Sequence, residues 1–264
     1  MRKFKNIALV TFSVSLLILV LGMAESKRKD VKFNELKVNI DVSDGNYFVE
    51  ELDIESQVFA KGYQVGKEPV LSIDLRALEL QFDKMPSVKK SEVYTTLRGN
   101  LRVDINQRTP LIRVFTKTSS FYIDKAGYVM PLSDKYTAKV PVVNGDINID
   151  YSIVKGLNFS VPNELMKINH ESRKLNEAYL MVKKFKEVPF WDAQFKQIFF
   201  KKDGDVELIP VVGNHVILID GITHLDESLT KLMILYKEGL SKTGWNNYKV
   251  INLKYKDQIV CIKR

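Results

Sequence analysis

The chain has 264 residues, which is enough for one large domain or two small ones behind a targeting segment. Hydrophobic residues make up 45% of it and charged residues 27%, which excludes both a disordered tail and a polytopic membrane protein. The formal net charge of +8 is compatible with a nucleic-acid or anionic-membrane surface. However, the lysines and arginines are scattered among acidic residues and form no basic stripe, so we predict no nucleic-acid partner.

Three basic residues, Arg2, Lys3 and Lys5, precede an uncharged apolar run over residues 7–24. As a helix this run is about 27 Å long, close to the ~30 Å thickness of a bilayer core. We therefore predict a cytoplasmic tail over residues 1–6 and a transmembrane helix over residues 7–24. The apolar anchor residues of this helix are Ile7, Leu9, Val10, Phe12, Leu16, Leu17, Ile18, Leu19, Val20 and Leu21.

The alternative for this segment is a cleaved secretory signal, because Gly22 and Ala24 have the spacing that a signal peptidase prefers. The length of the apolar run favours the uncleaved anchor. Basic residues flank the run on both sides, so the positive-inside rule does not fix its orientation. Because about 240 residues follow and none of their segments is apolar enough to span again, we predict a single-pass protein with its bulk outside the cytoplasm.

One strand and two helices are predicted next. Alternating apolar residues predict a strand over residues 31–42, which ends at a Ser-Asp-Gly-Asn turn. Apolar residues at helical spacing predict helices over residues 48–60 and 72–85, and Ser72 or Asp74 can cap the second helix. The predicted apolar face of the first helix consists of Val49, Leu52, Ile54, Val58 and Phe59.

A β-hairpin follows these helices. Strand-like runs over residues 91–98 and 101–107 are separated by Gly99-Asn100, and a short glycine-containing loop between alternating runs is typical of a hairpin. The predicted order over this part of the chain is therefore β-α-α-β-β.

The second half is rich in strands and carries two predicted helices. The strands are predicted over residues 111–117, 120–124, 128–132, 141–144, 195–201, 206–212, 215–220, 249–255 and 259–263. The helices are predicted over residues 172–186 and 226–240, each with an apolar stripe. Strands and helices in this mixture predict an α+β fold.

No catalytic or metal-binding motif is present in the sequence. The single cysteine, Cys261, excludes an internal disulfide framework and a cysteine-based zinc site. Residues 239–244 have the glycine spacing of a phosphate loop, but Trp245 and Asn246 stand where lysine and serine or threonine are required. We therefore predict no catalytic residue, no metal, no cofactor and no small-molecule substrate, and a protein that binds other proteins.

Several short motifs between residues 86 and 132 carry a resemblance to a known family. They are Pro86-Ser87-Val88, Gln107-Arg108-Thr109-Pro110, Tyr122-Ile123-Asp124 with Gly127, and Met130-Pro131-Leu132. In this order and spacing, behind a basic start and one apolar run, they resemble the FtsQ/DivIB family of bitopic bacterial division proteins, in its Bacteroidetes-type form.

The resemblance implies a fold and a role. It implies an α+β protein with one transmembrane helix, a POTRA domain over residues 30–108, and an FtsQ-type β domain over residues 109–264 with a mixed sheet and flanking helices. It also implies a non-enzymatic scaffold in the inner membrane at the division septum. Its implied partners are FtsB and FtsL homologues, FtsK-type proteins, and through them components of septal peptidoglycan synthesis.

In the family, the last strands accept a strand of a partner by β-addition, which needs a free sheet edge. The resemblance therefore implies partner binding by Lys254, Tyr255, Gln258, Ile259, Val260, Cys261 and Ile262. The alternative is that these strands only close the sheet. Asparagine and lysine in the run 251–255 also replace the acidic residue and the arginine of the family pattern.

The alternative function is that of a POTRA-containing component of protein secretion or outer-membrane assembly. Such proteins carry a membrane β-barrel after their POTRA repeats. Only about 155 residues follow the predicted POTRA domain, and they lack a regular series of alternating strands of about ten residues. The sequence therefore favours the division protein.

Overall fold

A computed structural model describes residues 2–161 and 170–264 of the chain. Helix α1 (Arg2–Lys29) comes first and contains the whole predicted membrane span. Within α1, side chains are described for residues 11–23 and for Lys29.

The chain divides into two compact units, residues 1–107 and residues 108–264, and each has its own β-sheet. The elements of the first unit after α1 are β1 (Glu35–Asp41), α2 (Glu51–Ala60), a 3₁₀ turn (Val70–Ser72), α3 (Leu75–Phe82), β2 (Val88–Thr95) and β3 (Asn100–Gln107). The sheet has the order β1-β3-β2, in which β1 runs parallel and β2 antiparallel to β3. The predicted β-α-α-β-β order is therefore confirmed.

The two helices of this unit differ in how well their details were predicted. Asp74 caps α3 by accepting a hydrogen bond of 2.9 Å from the Ala77 backbone N–H, as predicted. In α2 the prediction of inward-facing Leu52 and Phe59 is wrong, because Leu52 is 70% exposed and Phe59 is also exposed. The buried positions of α2 lie one helical turn apart, on the opposite side, at Ile54 and Val58.

Strands dominate the second unit. They are β4 (Pro110–Phe115), β5 (Ser120–Asp124), β6 (Val129–Pro131), β7 (Val142–Gly145), β8 (Phe195–Phe200), β9 (Val206–Pro210), β10 (Val216–Ile219), β11 (Tyr248–Asn252) and β12 (Val260–Lys263). The helices are α4 (Tyr151–Val154), α5 (His170–Lys186), α6 (Pro189–Gln194), α7 (Leu225–Ile234) and α8 (Ser241–Thr243). A π-helical segment (Leu235–Leu240) joins α7 to α8 and lies within the helix predicted over residues 226–240, whereas α4, α6 and α8 were not predicted.

The nine strands form one mixed sheet in the order β12-β11-β10-β9-β8-β7-β4-β5-β6. The pairs β4–β7, β7–β8 and β10–β11 are parallel, and the other neighbours are antiparallel. Helix α5 lies against β4 and β8 with Leu175, Ala178, Tyr179, Val182 and Phe185 buried. These side chains and those of α7 pack on one sheet face, so the mixed α+β architecture with flanking helices is confirmed.

Candidate partner-binding edge

The candidate site is the C-terminal edge of the nine-stranded sheet. Strand β12 (Val260–Lys263) is the outermost strand and pairs antiparallel with β11, with Asn252 opposite Val260 and Ile251 opposite Cys261. In the part of the chain that the structure describes, no strand pairs with the outer side of β12. An edge strand presents unpaired N–H and C=O groups, which can hydrogen-bond an added strand.

Successive side chains of β12 point to opposite faces of the sheet. Cys261 lies opposite the buried Ile251, on the face covered by helices, and burial raises the pKa of its thiol. The thiol is therefore protonated at neutral pH. Val260 and Ile262 lie on the other face and are 40% and 54% exposed. The edge thus offers main-chain groups together with two apolar side chains.

The turn between β11 and β12 is fixed by polar contacts. The side chain of Asn252 accepts a hydrogen bond of 3.0 Å from the Lys254 backbone N–H. Lys231 on α7 donates from Nζ to the carbonyl oxygens of Leu253 and Tyr255, at 3.1 and 2.8 Å. These contacts tie the turn that precedes β12 to the helical layer.

Lys254 has an ionic partner within the same unit. Its Nζ lies 2.7 and 2.8 Å from the two carboxylate oxygens of Asp205, which follows the turn between β8 and β9. Both side chains are largely buried, with 29% and 20% of their surfaces exposed. The ammonium group of Lys254 therefore holds the β11–β12 turn against the neighbouring turn.

The other predicted site residues differ in exposure. Tyr255 is 47% exposed and Gln258 is exposed, so both side chains are accessible beside the edge. Ile259 is half-buried and packs against the core. The structure therefore brings all seven predicted residues to one edge, with Tyr255, Gln258, Val260 and Ile262 exposed and Lys254, Ile259 and Cys261 partly buried.

Basic residues surround this edge. Lys249, Lys256, Lys263 and Arg264 are all exposed, and Asp257 is the acidic residue among them. Lysines on an edge strand discourage pairing between identical edges because like charges repel. The same charges favour a partner strand that carries acidic residues.

A buried aromatic cluster lies beneath this end of the sheet. Nε2 of His215, directly before β10, lies at a hydrogen-bond distance of 3.1 Å from Oη of Tyr236 in the π-helical segment. Burial lowers the pKa of His215 and raises the pKa of Tyr236 to about 12, so both groups are neutral at pH 7. Trp245 packs on both rings, with centroid distances of 6.5 and 4.8 Å.

The acidic turn between β8 and β9 is engaged by lysines. Asp203 pairs with Lys201 at 2.9 Å, and this hydrogen bond lowers the pKa of its carboxyl group. Asp205 pairs with Lys254, as described above. Among the residues that the structure describes, no group of three or more histidine, cysteine or acidic side chains could hold a metal ion.

Two residues that fix the edge, Asp205 and Lys231, were not predicted. Asp205 and Lys254 are 49 residues apart, and Lys231 is 24 residues from the carbonyl of Tyr255. The sequence carries no signal for such pairs, since they meet only after β9 and β11 take their places in the sheet.

Most of the predicted anchor residues lie within the described part of α1. Their side chains are exposed, and they are Phe12, Leu16, Leu17, Ile18, Leu19, Val20 and Leu21. The side chains of Ile7, Leu9 and Val10 lie outside the described residues. Over the described residues, the structure contains no helix that combines the length and the apolar character needed to cross a membrane.

Comparison with known proteins assigns each unit to a class. A family model described as a POTRA-like domain matches residues 32–106, which hold the β-α-α-β-β unit. A second model, described as FtsQ/DivIB, C-terminal related, matches residues 109–262, which is more than half of the chain and includes the candidate edge. No curated protein matches the chain.

The chain is thus a POTRA-like unit followed by a mixed-sheet unit of the division-protein type. It belongs to the FtsQ/DivIB family, which confirms the resemblance carried by the sequence motifs. Members of this family are non-enzymatic scaffold proteins of the membrane at the division site, and they act through protein–protein interactions.

Proposed function

We propose that this protein is a single-pass inner-membrane scaffold of the divisome. Residues 1–6 lie in the cytoplasm, residues 7–24 cross the membrane, and the rest lies in the periplasm at the septum. A POTRA domain over residues 30–108 takes part in localisation with FtsK-type partners. A β domain over residues 109–264 recruits FtsB and FtsL homologues and through them helps to control septal peptidoglycan synthesis.

The free outer side of β12 is the observation that carries the proposed binding site. It belongs to the unit that matches the FtsQ/DivIB C-terminal model, and its exposed side chains include Val260 and Ile262. Family membership also favours a division role over the alternative role in secretion or outer-membrane assembly.

In this proposal a short strand of an FtsB homologue adds to β12. Each main-chain hydrogen bond formed contributes about 1 kcal/mol net, so a strand of four residues needs further side-chain contacts for stable binding. Val260, Ile262 and Tyr255 supply apolar area for those contacts. The exposed lysines around the edge select a strand with acidic residues.

The test is co-purification of the full chain with FtsB and FtsL homologues from the same organism. Deletion of residues 258–264 removes β12, and we expect it to reduce recovery of both partners at least tenfold. Tyr255→Ala removes one exposed aromatic contact beside the edge, and we expect a loss of about 1–2 kcal/mol, or roughly five- to thirtyfold in affinity.

Leu132→Ala is the matched control, because Leu132 is 39% exposed and follows the strand at the opposite edge of the same sheet. Recovery with this variant should equal that of the unaltered chain. Full recovery of both partners by a folded protein that lacks β12 would contradict the proposed site.

A further inference from the structure

The nine-stranded sheet has a second face that none of the described helices covers. On the helical face, Ile112, Val143 and Ile198 are fully buried. On the second face, the strand register places six residues of β4, β7, β8 and β9 next to one another. We call these residues the open face, and they are Phe115, Val142, Asn144, Gln197, Phe199 and Ile209. These residues are only partly buried, although four of the six are apolar.

At one end the chain itself covers this second face. Tyr122 and Met130 lie on it and are 1% and 0% exposed, beneath the segment that follows β6. The Ala138 backbone N–H of that segment donates to Oη of Tyr122 at 3.3 Å, and Ala138 is itself buried. The same face is therefore buried where the chain covers it and half-exposed across β4, β7, β8 and β9.

Two grooves cross the open face. One has a volume of about 720 Å³ and the other about 490 Å³, and Phe115 and Asn144 line both. Phe199 lines the first, while Val142 and Ile209 line the second. The two grooves thus share a wall and form one depression with a mainly apolar floor.

Cations without a carboxylate partner border this depression. The guanidinium group of Arg113 lies 4.7 Å from the ring centroid of Phe115 and beside Val142. Lys196 lines one groove and Lys202 the other. Across the described residues, none of these three cations has an ion pair, and Nζ of Lys196 donates only to the Asp192 carbonyl oxygen.

The other charges at the depression largely cancel. Lys117 pairs with Asp146 at 3.1 Å and Lys201 pairs with Asp203 at 2.9 Å. Glu207, which lies beside Phe199 on β9, carries an opposing charge among the described residues of the floor. The surface is therefore an apolar depression with an excess of positive charge.

We propose that the open face is a docking surface for an acidic amphipathic helix of a partner protein. Four strands spaced about 4.8 Å apart give a floor roughly 14 Å wide, which fits a helix of about 10–12 Å diameter. The apolar stripe of the helix covers the aromatic and aliphatic floor, and its flanking carboxylates meet Arg113, Lys196 and Lys202. This surface is separate from the outer side of β12, so the proposal does not depend on strand addition there.

Charge and chemistry favour this occupant over two others. In a two-fold contact with a second copy, the same positive patch would face itself, which brings like charges together. A glycan needs many convergent polar groups. The polar side chains of the open face are Asn144 and Gln197, and Nε2 of Gln197 already donates a hydrogen bond of 3.0 Å to Oδ1 of Asn144. An acidic helix satisfies both the apolar floor and the uncompensated cations.

The first experiment is photo-crosslinking from the full chain in growing cells. The photoreactive residue p-benzoylphenylalanine replaces Phe199 or Phe115, and the crosslinked peptide is sequenced by mass spectrometry. Phe59 on α2, which is exposed on the first unit, is the control position. We expect both open-face positions to yield one segment of another protein, with a helical apolar period and net negative charge, that Phe59 does not yield.

The second experiment tests the charges. The double variant Lys196→Glu/Lys202→Glu should lower the crosslinked yield about tenfold, because two interfacial charge pairs become like-charge contacts. The control Lys61→Glu/Lys84→Glu changes the net charge equally at exposed sites of the first unit and should leave the yield unchanged. Replacing the acidic residues of the crosslinked segment by lysine should restore the yield of the open-face variant.

Several results would overturn the proposal. One such result is a crosslink to a second copy of this chain, to lipid or glycan, or to a segment without acidic residues. Another is a crosslinked yield at Phe115 and Phe199 that is no higher than the yield at Phe59. A yield unaffected by Lys196→Glu/Lys202→Glu would also overturn it. Because Lys196 and Lys202 are exposed, these variants are expected to retain the melting temperature of the unaltered chain, which separates lost docking from lost folding.

Discussion

The two edges of the nine-stranded sheet are built in opposite ways. At β6, Val129 and Met130 are buried, and Tyr128 directly before the strand pairs in an antiparallel bridge with Asn158. At β12, Val260 and Ile262 are exposed, and within the described ranges no strand or bridge lies on the outer side. One edge is therefore covered by its own chain, while the other keeps its main-chain groups available.

The contrast indicates how one edge is closed against unwanted pairing. The segment around Asn158 runs so near Gly127 that a Cβ atom there would lie 2.5 Å from the Ser160 backbone nitrogen. Gly127 also has a φ of +91°, so glycine is required at this turn for two reasons. Pro131 ends β6 without an N–H to offer. At β12 the protection consists of surrounding lysines, which repel an identical edge but leave an acidic strand free to add.

The largest expected effect concerns the edge at β6, which we call the closed edge because its own chain covers it. Asp124 ends β5 and accepts hydrogen bonds from Nη1 of Arg108 at 3.0 Å and from the backbone N–H groups of Ala126 and Tyr128 at 2.9 and 2.8 Å. Its side chain is 3% exposed and that of Arg108 is 17% exposed. Asp124→Ala leaves a largely buried guanidinium group unpaired, so we expect the free energy of unfolding to fall by about 3 kcal/mol or more in urea titrations.

Asp134→Ala, at an exposed position in the segment after β6, is the control and should change stability by less than about 0.5 kcal/mol. Asp124→Asn keeps one acceptor oxygen without the charge, so its free energy of unfolding should lie between those of Asp124→Ala and Asp134→Ala. An Asp124→Ala protein as stable as the control would mean that the closed edge is held by its apolar contacts alone.

Local elements of the nine-stranded sheet could be predicted from the sequence. The β5–β6 turn has a glycine, and the β8–β9 turn has Asp203-Gly204, so alternating runs beside them predict hairpins directly. The apolar stripe of α5 likewise predicts its buried face, since helical periodicity is set within a few residues. Predictions of this kind depend on near neighbours in the chain, and they hold for these hairpins and for α5, although Leu52 and Phe59 of α2 are exceptions.

The arrangement of the sheet could not be predicted in the same way. Strand β7 enters between β4 and β8, and it pairs with both in parallel, although 26 residues separate Val142 from Phe115 at the end of β4. The short helices α4 and α6 have too few residues to show a period. Which strand becomes the outer edge, and which carboxylate meets Lys254, depends on such long-range pairing, so the candidate site was predicted only as a stretch of sequence.

A second prediction concerns the effect of pH on the edge of the sheet at β12. Burial lowers the pKa of His215 below the value near 6.5 that it has in the unfolded chain. The unfolded state then binds more protons as the pH falls through 6.5, so stability decreases from pH 7.5 to pH 5.5. We expect the hydrogen-exchange protection factors of amides in β10, β11 and β12 to fall over this range more than those in β4, β5 and β6, because His215 directly precedes β10.

His215→Phe keeps an aromatic ring against Trp245 and Tyr236 but removes the titrating group, so its stability should vary less with pH. His224→Ala is the control, because the side chain of His224 is 60% exposed. It should retain the full pH dependence. Equal pH dependence in the His215→Phe protein would place the titrating group elsewhere.

The smallest expected effect concerns Lys254, which either supports the β11–β12 turn through Asp205 or contacts the partner directly. If Lys254 acts mainly through Asp205, then Lys254→Ala and Asp205→Ala each lower stability by about 0.5–1 kcal/mol, and the double variant is no less stable than either one. Both single variants should then weaken recovery of the FtsB and FtsL homologues equally, because each releases the β11–β12 turn.

The more exposed pair Lys201–Asp203 is the control, and its double-mutant cycle should show a smaller coupling energy. Weaker recovery with Lys254→Ala than with Asp205→Ala would instead assign Lys254 a direct contact with the partner, since only the first variant removes the ammonium group from the edge.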